Sequence, residues 1–143
     1  MDELTSCGGL IKQIHDALER NANNAMRPQG MTMAQFSVLL ALDRAEDGIL
    51  PLKTLEQKTL RVAQSTAAGI VNRLEQKDFV ESFGDSGDRR VKLVRITAAG
   101  KACCREAERN MERAEEKLLS GLTETERSIF LALLKKVRDT LES

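Results

Sequence analysis

From Ala63 to Glu75 the chain reads Ala-Gln-Ser-Thr-Ala-Ala-Gly-Ile-Val-Asn-Arg-Leu-Glu. Gln64, Ser65 and Thr66 bring amide and hydroxyl groups of the kind that satisfy free N–H groups at a helix start. Asn72 and Arg73 add an amide and a guanidinium further along. Groups of these types suit one chemistry, hydrogen bonding to phosphates and to base edges. Ala67, Ile70, Val71 and Leu74 recur at helical spacing, which gives the segment an apolar face toward a core. Ser65, Ala68, Gly69, Asn72 and Arg73 then share the outward face. That face lacks bulk and carries no charge until Arg73, whereas ordinary surface helices carry Lys and Glu. A helix inserted into the major groove of DNA meets this description. A tight helix–helix contact, where Ala and Gly are also common, meets it too.

A second group of candidate contacts follows. Arg89 and Arg90, with Lys92 and Arg95 beyond, lie near Gly84-Asp-Ser-Gly-Asp88, a run dense in turn formers. Phe79 to Phe83 and Val91 to Ile96, on either side of that run, have the extended period of short strands. The net charge is zero, yet residues 51–101 hold ten Lys/Arg against six Asp/Glu, so a modest basic surplus coincides with these groups. Residues 1–50 and 102–143 carry the compensating −3 and −1.

Other chemistries find little material. His15 is the only histidine, and its acidic neighbours at useful spacing are Asp16 and Glu19, so no metal site or cofactor is expected. There is no histidine pair, nucleophile elbow or Gly-rich phosphate loop, which argues against an enzyme. Trp and Tyr are absent and aromatics make up 3%, which disfavours stacking on single-stranded bases. Cys7, Cys103 and Cys104 are an odd number in a chain read as cytoplasmic, so structural disulfides are not expected. They fill small semi-buried positions or, on a sharper reading, sense oxidants. No apolar run reaches transmembrane length, and the first residues lack the features of a signal peptide.

The elements that must position these groups are mainly helical. Leu4, Cys7, Leu10, Ile11, Ile14, Ala17 and Leu18 mark an amphipathic first helix, ended by Asn21 to Asn24 and a loop at Pro28 and Gly30. Thr32-Met-Ala-Gln35 reads as a capping box for a helix with Phe36, Leu39, Leu40 and Leu42 inward. Ile49 to Leu52 holds a brief strand before Pro51 starts a helix with Leu52, Leu55 and Leu60 inward. Arg61-Val62 is the turn before a second helix, Ala63–Lys77. Two helices so joined match the helix-turn-helix, and the hairpin after them makes it a winged helix. Thr97 caps a further helix striped by Ala107, Met111, Ala114 and Leu118, with opposite charges from Arg105 to Glu116 at neighbouring positions. Gly121 breaks it, and Thr123-Glu-Thr-Glu126 opens a last helix apolar at Ile129, Phe130, Leu133, Leu134, Val137 and Leu141. The terminal helices leave apolar stripes that a small central module cannot cover, which is the material of a dimer interface.

Asp88-Arg-Arg90 followed by Val94-Arg-Ile-Thr97 resembles the wing of MarR-type transcriptional regulators. Gln64-Ser-Thr66 with Asn72-Arg-Leu-Glu75 is similar to their recognition helix. Thr97-Ala-Ala-Gly-Lys101 resembles the exit from the wing, and Leu122-Thr-Glu-Thr-Glu126 the start of the last helix. The resemblance covers nearly the whole chain in the right order. Two departures stand out. Asp78 occupies a helix end where the family usually has Gly, a conformation Asp tolerates. Gly69 sits where many relatives carry a long polar or basic side chain, so the bases read differ.

The resemblance implies an α+β, mainly α fold: one domain over 1–143, with the winged helix-turn-helix in about 29–101 and dimerisation helices in 1–28 and 102–143. It implies a homodimer on a pseudo-palindromic double-stranded DNA operator, often a repressor released by a small phenolic or aromatic effector or by oxidants. Ser65 and Thr66 become phosphate anchors, and Gln64, Ala68 and Asn72 face base edges. Arg90 enters the minor groove, Arg89 and Lys92 meet phosphates, and Asp88 holds the wing by pairing with an Arg such as Arg73. An exposed Asp88–Arg90 ion pair of no further use is the blander alternative. An effector pocket is expected where the first, second and fifth helices meet the winged helix, lined by His15, Met33, Phe36 and Met111, although plain core packing also explains them. The competing functions are a winged helix used only for protein–protein contact and a cysteine-based redox regulator.

Overall fold

In the computed structural model, which describes residues 5–142, four of the long helices begin where a hydroxyl side chain, Ser6, Thr32, Thr97 or Thr123, takes up a first-turn N–H group. Helix α1 (Cys7–Met26) starts at Ser6, whose Oγ accepts from the Gly9 N–H at 3.0 Å. Leu4, expected in its apolar stripe, lies outside the described residues. A 3-10 turn (Arg27–Gln29) containing Pro28 and a left-handed Gly30 at φ 66° lead to helix α2 (Met33–Arg44). Its capping box is complete: Thr32 Oγ1 accepts from the Gln35 N–H and Gln35 Oε1 accepts from the Thr32 N–H, each at 3.2 Å.

Strand β1 (Ile49–Pro51) is short, and Pro51 is tolerated because β1 is an edge strand. Helix α3 (Leu52–Thr54) continues as a π-helical segment, Leu55–Leu60, closed by Arg61 at φ 54°. Helix α4 (Gln64–Gln76) follows almost at once. Strands β2 (Val80–Gly84) and β3 (Lys92–Ile96) form the hairpin, and β1 adds antiparallel to β3, giving the order β1-β3-β2. Pairs run from Val80–Ile96 to Gly84–Lys92 on one side of β3 and from Ile49–Arg95 to Pro51–Leu93 on the other.

The core lies between α2, the π-helical segment, α4 and β3, where Leu39, Leu42, Leu55, Val71, Leu74 and Val94 are wholly buried. Val38, absent from the expected inward set of α2, is buried as well, while Leu40 is half-buried. Asp78 adopts φ 61°, so the left-handed turn survives without glycine. Thr97 then joins hairpin to helix: its Oγ1 donates to the Asp78 carbonyl at 2.7 Å and accepts from the Gly100 N–H at 3.0 Å. A Cβ at Gly100 would stand 2.1 Å from the Phe79 carbonyl oxygen, so only glycine lets helix α5 (Ala98–Leu118) press this close to the sheet.

Helix α6 (Glu124–Glu142) opens with the second capping box, Thr123 to Glu126, and then buries no residue. Leu133 and Leu141 are 55% and 81% exposed, and Ile129, Leu134 and Val137 are exposed too. Leu10, Ile11 and Ile14 of α1 are likewise open. The charges of α5 do not pair along the helix as expected. Among the described residues its one ion pair runs to α6, Glu116 with Arg127 at 2.9 Å. No described helix is long and apolar enough to cross a membrane.

Candidate nucleic-acid interface

Helix α4 turns two unlike faces outward and inward. Ala67, Val71 and Leu74 are fully buried and Ile70 is half-buried, which fixes the rotation of the helix. Gln64, Ser65, Thr66, Asn72 and Arg73 are then exposed, and none of their side chains makes a hydrogen bond or ion pair with a described residue. Ala68 sits between them, half-buried. The expectation that Gln64, Ser65 and Thr66 cap the helix is not met. Ala63 holds the N-cap position with no side-chain cap, because the three polar residues are already inside the first turn. The leading N–H groups therefore face outward with the positive end of the helix dipole, a ready site for an anion such as phosphate. Gly69 leaves open space where a Cβ would stand, so nothing among the described residues explains its smallness.

The wing is shaped by its own carboxylates. Asp85 Oδ1 accepts from the Gly87 N–H at 3.1 Å. Asp88 Oδ1 accepts from the Arg90 N–H at 2.9 Å and from Arg90 Nε at 3.2 Å. Asp88 thus pairs with Arg90, two residues away, and not with Arg73 as expected. The turn commits its carboxylate locally before any side chain of α4 can compete. The backbone N–H of Arg90, then its guanidinium, hold the Asp88 carboxyl below its ordinary range. Arg90 stays open, with 91% of its side chain exposed. Arg89 and Lys92 are exposed and unpaired among the described residues. Arg95 is otherwise occupied: it bonds Glu81 at 2.9 Å and stacks its guanidinium 5.0 Å from the centre of the Phe83 ring. Ser82 donates to Glu75 from β2 to α4, so wing and helix are tied together.

Behind this face, α1, α2 and α5 enclose a cleft of about 650 Å³ whose lining includes His15, Met33, Phe36 and Met111. His15 Nε2 stands 3.1 Å from Glu19 Oε1, one turn along α1. Arg44 and Glu108, which sequence reasoning missed, also line the cleft, because their approach depends on how α2 packs on α5. The cysteines are free. Cys7 is exposed at the start of α1, while Cys103 and Cys104 are buried in α5 and burial pushes both thiols up. The Cys103 sulfur lies 3.0 Å from that of Met31.

Comparisons with known proteins converge. A family model described as MarR family matches residues 29–91. The multiple antibiotic resistance protein MarR of Escherichia coli is 30% identical over 137 residues, 95% of this chain and 93% of that protein. A crystal structure of a mutant MarR from Escherichia coli complexed with operator DNA superposes with a TM-score of 0.74 at 29% identity, covering 94% of this chain and 95% of that one. A structure of BpsR from Bordetella bronchiseptica, described in terms of regulation of its DNA binding by 6-hydroxynicotinic acid, gives 0.75 at 27% identity over 97% of both chains.

Proposed function

The chain belongs to the MarR family of winged helix-turn-helix transcriptional regulators, and from that premise we propose that it is a cytoplasmic repressor binding a pseudo-palindromic operator as a homodimer. The observation that carries this reading is the outward face of α4, five polar side chains and an uncapped helix start with no partner among the described residues. Ser65, Thr66 and the first N–H groups anchor phosphates. Gln64, Ala68 and Asn72 meet base edges in the major groove. The hairpin carries Arg90 to the flanking minor groove, with Arg89 and Lys92 on phosphates and Asp88 setting the direction of the Arg90 side chain. The complex of Escherichia coli MarR with operator DNA supports operator DNA as the partner.

The second copy covers the apolar faces of α1 and α6, whose Leu and Ile side chains stay substantially exposed among the described residues. Two recognition helices then stand about 34–36 Å apart, one repeat of B-DNA. An effector enters the cleft of His15, Met33, Phe36 and Met111, where a wedge between α1, α2 and α5 alters that spacing. The size of the cleft suits a small aromatic molecule, and the unpaired Arg44 at its lining suits one with an acidic group. The BpsR relative supports an aromatic acid as the class.

Selection of duplexes from fragmented genomic DNA, followed by titration across salt, tests the reading. An inverted repeat with half-sites about 10 base pairs apart, bound more weakly as salt rises, is expected. Binding without sequence preference, or without salt dependence, overturns it and favours a winged helix that contacts only proteins.

A further inference from the structure

Where α2 packs on α5, three groups converge, of which only Glu108 also borders the effector cleft. Asp43 comes from the last turn of α2, and Cys104 and Glu108 from consecutive turns of α5. One carboxylate oxygen of each acid and the Cys104 sulfur all lie within 4.8 Å of one another. Both carboxylates are half-buried, and neither makes an ion pair or hydrogen bond with a described residue. Two anions so close repel each other, and at half-burial water screens that repulsion incompletely. Arg44, next in the chain to Asp43, is exposed and forms no ion pair with either acid. The third group adds a separate observation. Cys104 is wholly buried, and its sulfur has no hydrogen-bond partner among the described residues, yet it faces the two carboxylates. Although Cys104 belongs to the apolar core, its unbonded sulfur thus lies within 4.8 Å of two carboxylates that no described residue pairs.

We propose that Asp43, Cys104 and Glu108 form a binding site for a divalent metal ion of the zinc class. A thiolate and two carboxylates are the donor types that such an ion takes at about 2.0–2.3 Å, in a tetrahedral set whose fourth member is water. One cation neutralises both acids and gives the sulfur a partner. Burial, then Glu108 and then Asp43, push the free thiol up to about 12. In the ion's absence it is therefore a thiol. On binding, the S–H proton passes to solvent as the sulfur lone pair forms the bond to the metal, and no electrons are transferred. Glu108 also lines the cleft between α1, α2 and α5, which gives the ion a way in. The expectation of no metal site rested on the single histidine. The donors here are brought together only by the packing of two helices far apart in sequence.

The test uses the full chain, reduced and treated with a chelator, and titrates it with Co²⁺ as a spectroscopic stand-in for Zn²⁺. A near-ultraviolet sulfur-to-cobalt band that saturates at one ion per chain and is bleached by Zn²⁺ is expected. Cys104→Ser should lose the band, and Cys7→Ser and Cys103→Ser should keep it. Asp43→Asn and Glu108→Gln, at half-buried positions that leave the fold intact, should each weaken Co²⁺ binding by at least the ~10-fold that loss of an outer-shell partner costs. No band in the wild type, a band that survives in Cys104→Ser, or unchanged affinity in both acid variants overturns the site.

Discussion

Helix α4 buries Ala67, Val71 and Leu74 completely and sends Gln64, Ser65, Thr66, Asn72 and Arg73 outward, whereas α6 buries nothing and sends Ile129, Leu133, Leu134, Val137 and Leu141 outward. Both faces lack a partner among the described residues, but they stand differently toward water. The amides and hydroxyls of α4 are satisfied by solvent while they wait, so its partner is free to come and go. The side chains of α6, about half exposed or more, each forgo part of the about 1.5–3 kcal/mol that full burial contributes, so that face gains from a lasting cover. The proposed function uses one surface of each kind, a reversible one for DNA and a lasting one for a second copy.

The largest effect should come from breaking the lasting surface. Leu133→Asp combined with Leu134→Asp places two carboxylates on the α6 face and should abolish the dimer, with the chain recovered as monomer or unfolded. Sedimentation at micromolar concentration checks this, and an intact dimer would show that α6 is not the interface. On the reversible surface, Asn72→Ala should keep dimer and fold while relaxing preference at one base pair of each half-site. The expected cost is about 1–3 kcal/mol on operator and close to nothing on random DNA, read by anisotropy titration.

How far these surfaces are legible in the sequence depends on the range of the interaction. The capping boxes at Thr32 and Thr123, the Thr97 cap and the left-handed Asp78 are set within four residues, and each stands where the sequence puts it. The apolar faces of α4 and α6 are legible because helical period is local too. The partner of Asp88 was misjudged because a two-residue turn outcompetes a contact with α4, and sequence spacing does not rank the two. The lack of a side-chain cap on α4 follows from a shift of one residue in its start, finer than periodicity resolves. The cluster of Asp43, Cys104 and Glu108 is not legible at all, since it depends on the register between α2 and α5.

Smaller changes sharpen the contrast. Gly69→Ala adds a methyl group into open space and should stabilise the fold by about 0.5–1 kcal/mol, since glycine inside a helix is entropically costly. Thermal or denaturant unfolding checks that gain, and an unchanged or lower stability would mean the face is already packed against something in the free protein. The smallest effect concerns acid. Arg90 depresses the folded-state Asp88 carboxyl, so its contribution to the wing is present above the ordinary Asp range, near about 3.9, and is lost only as pH falls through the lowered value. Following the Arg90 amide resonance with pH should therefore show a transition below about 3.9, and one at or above it would mean the pair does not hold in solution.

The claim that α4 and the wing act together on DNA is tested most directly by Arg90→Ala on the selected operator, titrated across salt beside the wild type. Arg90 buries little, so the variant should fold and dimerise unchanged. Its affinity should fall, most at A·T-rich flanks, and the slope of log affinity against log salt should shrink by about 2, roughly one for each protomer. Equal affinity and equal slope for the two proteins would contradict the account.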